Sequence, residues 1–105
     1  MDWYCVEYLY PRAFTRFKDV MFPNVGIISL STLDFYDIKK LYGFFDNEGV
    51  YLTTEMYHEE SWGCTISLNG VTIGLGGDSI RTRSEAESFG FIECFKLLDK
   101  RIDNI

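Results

Sequence analysis

The stretch GLGGDSIRTRSEAESFGF, Gly74 to Phe91, sets a run of glycines ahead of Arg81 and Arg83 and then turns acidic and aromatic. Glycines before a helix start are raw material for a phosphate-binding loop, because bare backbone N–H groups and the positive helix end both favour an anion. The spacing argues against that chemistry. A Walker loop ends in Gly-Lys-Ser/Thr, and no lysine follows Gly77; a dinucleotide fingerprint needs G-x-G-x-x-G inside a βαβ unit, and neither spacing nor setting fits. His58 is the single histidine, beside Glu59 and Glu60. One imidazole and two adjacent carboxylates on a turn do not make a coordination set. Cys5, Cys64 and Cys94 are odd in number and widely spaced, with no C-x-x-C. Neither a zinc site nor a disulfide framework is expected, and reduced thiols filling the core fit best. Spacing suggests no Ser/His/Asp or Cys/His pairing. The chain therefore reads as a protein that is not an enzyme and takes no cofactor or metal.

The carboxylates Asp34, Asp37, Asp46, Glu48, Glu55, Glu59 and Glu60 gather in the middle of a chain with 16 acidic and 10 basic residues, a formal net charge of −6. A general nucleic-acid binder carries a basic footprint, and this composition is the opposite. An acidic row either is a solvated polar face or imitates a row of phosphates and occupies a basic groove on a partner. The aromatic share of 17% is high enough that some rings are expected at the surface, where tyrosine and tryptophan favour partner binding. Asp2 and Glu7 stand where a secretory leader would carry positive charge, and no apolar stretch approaches the length of a membrane span. The expectation is a cytoplasmic protein that does not enter membranes.

At 105 residues one domain is expected. The segment DWYCVEYLY, Asp2–Tyr10, places Trp3, Val6 and Leu9 or Tyr10 at helical spacing and reads as a short helix. Pro11 suits a first helical position, and Ala13, Phe14, Phe17, Val20 and Met21 share one face, with Arg12, Arg16 and Lys18 pointing elsewhere. Ser31 or Thr32 can cap a third helix with Phe35, Ile38, Leu41, Tyr42 and Phe45 as its apolar positions and Gly49 as a left-handed stop. The period then becomes two. Val50, Leu52, Thr54 and Met56 alternate with Tyr51, Thr53, Glu55 and Tyr57, and Trp62, Cys64, Ile66 and Leu68 share a face. Asn69-Gly70 signals a tight hairpin into VTIGL. Ser84 and Glu87 fit a capping box for a final helix with the stripe Phe91, Cys94, Phe95, Leu98 and Ile102. The fold class is α+β: N-terminal helices, a three-stranded antiparallel meander, and a C-terminal helix packed on the sheet.

A helix, a β-β-β meander and a last helix are the order of the double-stranded-RNA-binding domain. TRSEAESFGFIECFKLL, Thr82–Leu98, resembles the start of that family's second helix, where basic residues face phosphates. Arg83 falls on one basic position and Arg81 lies just outside the motif; Ser84 takes the other basic position, and Phe89 and Phe91 replace small residues. The resemblance implies shared topology, with Arg81 and Arg83 as the alternative nucleic-acid contacts. The elements YLYPRAFTRFKDVMFP, DIKKLYGFFDNEGVY and TRSEAESFGFIECFKLLD resemble small uncharacterised proteins of phages and prophages of Bacteroides-like bacteria. That resemblance transfers no catalytic residue. It implies a protein that binds a host protein with a basic surface, such as a nucleic-acid enzyme or a CRISPR-type defence nuclease. The expected contact surface is Tyr51, Glu55 and Tyr57 on the outward strand positions, with Glu59 and Glu60 at the adjoining turn.

Overall fold

A computed structural model describes residues 4–22, 35–77 and 80–103. The order is α1 (Tyr4–Leu9), α2 (Pro11–Met21), α3 (Phe35–Asn47), β1 (Val50–His58), β2 (Ser61–Leu68), β3 (Val71–Gly77) and α4 (Arg83–Asp103). The strands form an antiparallel sheet in the order β1-β2-β3. This is the α+β arrangement expected from the sequence. Trp3, Ser31, Thr32, Asp34 and Asp78 lie outside the described residues.

The turns follow local backbone chemistry. Asn69 and Gly70 both have positive φ, 52° and 81°, as a primed two-residue hairpin turn requires. Gly49 has φ 77° and closes α3, its N–H donating to the Asp46 carbonyl at 3.1 Å. The start of α4 departs from the expected cap. The sequence holds two overlapping capping boxes, and the earlier one is used. The Glu85 N–H donates to Thr82 Oγ1 at 3.2 Å, and Glu85 Oε2 accepts from the Arg81 N–H at 3.1 Å. Ser84 thus lies inside the helix, and Glu87 does not reach back. Its Oε2 instead accepts the Tyr42 hydroxyl at 2.7 Å, tying α4 to α3.

All described helices lie on one side of the sheet. Val50, Leu52, Cys64 and Ile66 from the sheet bury against Phe91, Cys94, Phe95 and Leu98 of α4. Gly90 permits the close approach: a Cβ there would stand 2.6 Å from Leu52 Cδ1 and 3.2 Å from Cys64 Sγ. On its other flank α4 meets α2. Phe17 is fully buried and takes edge-on contacts from Phe22, Phe44 and Phe95 at 5.6, 5.3 and 5.8 Å between centroids. α3 is buried on two sides through the neighbours Phe44 and Phe45, of which only Phe45 belongs to the expected stripe. Polar ties complete the junction. Asp99 Oδ1 accepts the Ala13 N–H at 3.0 Å, so α4 supplies the cap that Tyr10 cannot give α2.

Two apolar residues expected inside are exposed: Val20 and Met56. Met56 stands two residues from the end of β1, and at the end of α2 the next positions, Met21 and Phe22, pack against the core instead of Val20. Of the two options for α1, Tyr10 rather than Leu9 packs against the core.

Candidate functional site

Antiparallel pairing sorts the sheet into two faces. The rows Tyr51–Ser67–Thr72, Thr53–Thr65–Gly74 and Glu55–Gly63–Gly76 run across the strands on the side away from the helices. On β1, Tyr51, Thr53, Glu55 and Tyr57 are all exposed, so no described helix covers this face. Tyr51 and Tyr57 are each 52% exposed, at the two ends of a ribbon roughly 20 Å long at the usual strand rise.

Tyr57 owes its position to a bulge. Met56 pairs with Trp62 and His58 with Ser61, so Tyr57 has no opposite residue. Its ring turns back along the sheet and lies over Gly63. A Cβ on Gly63 would meet the ring at 2.6 Å from Cε2 and 2.7 Å from Cζ, and one on Gly76 would meet Cε2 at 3.1 Å. The dip left by two facing glycines thus seats an aromatic ring, with its other face towards solvent. Beside it, Glu55 Oε1 accepts the Thr65 hydroxyl at 3.2 Å, and the Ser67 and Thr72 hydroxyls lie 3.3 Å apart. These bonds orient an otherwise solvated polar floor.

Glu59 and Glu60 form the turn at the Tyr57 end, both exposed, with Glu60 at φ 60°. His58 Nδ1 sits 3.2 Å from the Glu59 carbonyl oxygen. The structure thus brings Glu55, Tyr57, Glu59 and Glu60 to one end of one surface, with Tyr51 at the far end. Glu48 leaves the acidic row. It is only 11% exposed, and its carboxylate accepts from Arg16 Nε at 2.7 Å and Arg101 Nη2 at 2.9 Å. Among the described residues no group of three or more His, Cys, Asp or Glu could hold a metal ion.

The glycines of GLGG serve the sheet. Gly74 and Gly76 lie in β3, and their outward positions make the flat floor beside Tyr57 rather than a loop around an anion. Arg81 and Arg83 are both exposed at the start of α4. The Arg83 guanidinium lies 5.1 Å from the Trp62 ring centroid, a cation–π contact. Glu85 and Glu87 occupy the same turn, so two positive and two negative charges offset there. The sequence left the pinning of Tyr57 unread. Gly63 and Gly76 are separated along the chain, and only the strand register brings both under one ring.

Burial holds the described cysteines as thiols. It pushes Cys94 strongly up from the ordinary 9.0, with Cys64 and Glu93 adding to the effect, and it pushes Cys64 up likewise, with Glu93 adding. Neither is a thiolate nucleophile at neutral pH. Tyr42 is also raised from 10.0, by burial first and then by its bond to Glu87. Raised values mean that the folded state holds these protons longer than the unfolded chain. Their contribution to stability is therefore complete below pH 9 and is lost as pH climbs above it. Each buried thiol steepens that loss, because its proton is released more readily in the unfolded chain. Urea midpoints should hold level to about pH 8.5 and fall towards pH 11, with Cys94→Ala reducing the fall. Equal midpoints at both ends of that range would contradict the assignment.

Comparison with known protein families, curated proteins and solved structures finds no match. No helix among the described residues is long and apolar enough to cross a membrane.

Proposed function

We propose that this chain is a non-enzymatic interaction protein that binds a host protein with a basic surface through the outer face of its sheet. A phage-type inhibitor of a defence nuclease, of the anti-CRISPR kind, is the role that agrees with the sequence resemblance and with the acidic charge. The observation that supports the reading best is the Tyr57 ring held over Gly63 and Gly76, next to Glu55, on a face that no described helix covers. A ring already fixed loses little conformational freedom on binding, and tyrosine carries contact area on few rotatable bonds. Glu55, Glu59 and Glu60 steer a positive partner towards that ring. The test is parallel capture from a Bacteroides-like lysate on wild type and on a folded Tyr57→Ala, Glu55→Lys variant. A basic protein retained by the first and lost by the second supports the proposal. Equal capture by both counts against it.

The second reading, an RNA- or nucleotide-binding module, draws on Arg83 lying over the Trp62 ring beside exposed Arg81. The offsetting glutamates and the net charge of −6 oppose it. No appreciable RNA or DNA binding is expected at physiological salt in an anisotropy titration. Micromolar binding that weakens with salt and vanishes on Arg81→Ala plus Arg83→Ala would make this reading the better one.

A further inference from the structure

The two edges of the sheet are built differently. β1 is interrupted by the Tyr57 bulge, carries Glu55 and packs against α3 and α4. Such features discourage pairing with another chain. β3, Val71–Gly77, has no bulge, no proline and no charged residue, and among the described residues no strand lies beyond it. Val71 is 61% exposed, and Thr72, Gly74 and Gly76 are exposed as well.

The register says which backbone groups face outward. Leu68 and Val71 flank the two-residue Asn69-Gly70 turn, so they form a hydrogen-bonded pair. Alternate pairs then share that character, and Ile73 faces β2 with its N–H and C=O. Trp62 agrees with this parity: its N–H points to the β3 side, donating to the Ile80 carbonyl at 2.9 Å. The groups left at the open edge belong to Thr72, Gly74 and Gly76. Two of these are glycines, and a Cβ on Gly74 would meet nothing within 4 Å. Among the described residues this edge is an unpaired ladder, which another extended strand can complete.

We infer that β3 pairs antiparallel with β3 of a second copy of this chain, about a two-fold axis at Gly74, forming one continuous six-stranded sheet. Gly74 is the middle of the strand, so this register matches Thr72 with Gly76 of the partner and Gly74 with itself. All outward groups are then used, in roughly six hydrogen bonds. Charge selects a second copy over a basic partner. From Ser61 to Gly77 the chain has no charged residue, although 25% of the whole chain is charged. The repulsion between two acidic chains is therefore kept away from the seam, and the seam offers a basic partner nothing to pair with. Both outer faces lie on the same side of the joined sheet, their β1 strands about 24 Å apart at usual spacing.

The test is sedimentation velocity on the full chain from about 1 to 200 µM, a range that brackets modest self-association. Wild type should move from 12.2 kDa towards twice that mass. Gly74→Pro removes an N–H that the β2 ladder does not use, so the fold is kept, and Gly74→Lys sets a charge on the seam. Each should weaken association at least about tenfold while the urea midpoint shifts little. Amide exchange at Thr72, Gly74 and Gly76 should slow in wild type as concentration rises. Tyr51→Ala should leave association intact, which separates this result from any failure of the partner surface. A wild type that stays monomeric throughout overturns the inference, as does association that survives both Gly74 variants. Protection of the same amides by an added protein, in a chain that stays monomeric alone, would overturn it in favour of strand addition by that protein.

Discussion

Phe17→Ala is expected to cost about 4 kcal/mol of folding stability, the middle of the range for a fully buried aromatic cut back to alanine. Phe17 is fully buried where α2 meets α3 and α4, and its ring is contacted on several sides by Phe14, Phe22, Phe44 and Phe95. Truncation removes its own buried surface and also the edge-on partners of three rings. Those rings belong to separate elements, so the cavity cannot close by moving one side chain. For a domain of this size total stability is on the order of 5–15 kcal/mol, and the melting temperature should fall by roughly 15–30 °C. Val20→Ala, on the same helix but exposed, should change stability by no more than about 0.5 kcal/mol. Urea unfolding of both variants measures the contrast. A loss under about 1.5 kcal/mol for Phe17→Ala would mean that α2 does not pack as described.

Glu48→Ala should cost about 2 kcal/mol, a large effect for a charged residue in a turn. Glu48 joins three parts of the molecule. Its carboxylate accepts from Arg16 on α2 and Arg101 on α4, and its backbone carbonyl accepts from Arg101 Nη1 at 2.8 Å. The carboxylate is largely buried, whereas the Arg16 and Arg101 side chains are 47% and 32% exposed. Removing the acid therefore leaves two cations that water can partly resolvate, which keeps the cost below the 3–5 kcal/mol typical of a fully buried pair. Glu48→Gln keeps an acceptor and loses the charge, so about half the effect is expected. A double-mutant cycle with Arg101→Ala should return a coupling of about 1 kcal/mol or more, because the two groups touch. Additive losses would show that the ion pair adds nothing beyond its separate residues.

Glu48 also marks where sequence reasoning stops. Along the chain it belongs to an acidic run, and nothing local distinguishes it from the exposed Asp46 two positions earlier. Its partners lie 32 and 53 residues away. Asp99, which caps α2, is 86 residues from Ala13. Features governed by nearby residues were readable: the Asn69-Gly70 turn, the Gly49 stop, the change of period at Val50 and the stripe along α4. Where two local solutions competed, the sequence did not choose between them. Thr82 with Glu85 and Ser84 with Glu87 are equally good boxes, and burial of Ile80 and Ala86 accompanies the earlier one. Tyr51, Glu55 and Tyr57 were placed on one face by period two alone. That Tyr57 rests on glycines of both other strands depended on register and on a bulge.

The outer sheet face is tested most directly by measuring how the captured partner binds Tyr57→Ala and Gly63→Ala. The first removes the ring. The second keeps it but places a methyl group where the ring lies, so Tyr57 must swing off the sheet. If the seated ring is the centre of the contact, Tyr57→Ala should weaken binding at least about thirtyfold, or 2 kcal/mol. Gly63→Ala should weaken it about tenfold, since the ring then has to be ordered on binding. Glu55→Lys should mainly slow association, and that difference should shrink as salt rises. Wild-type affinity in Tyr57→Ala and Gly63→Ala, with both variants folded, would contradict the assignment of this face as the binding surface.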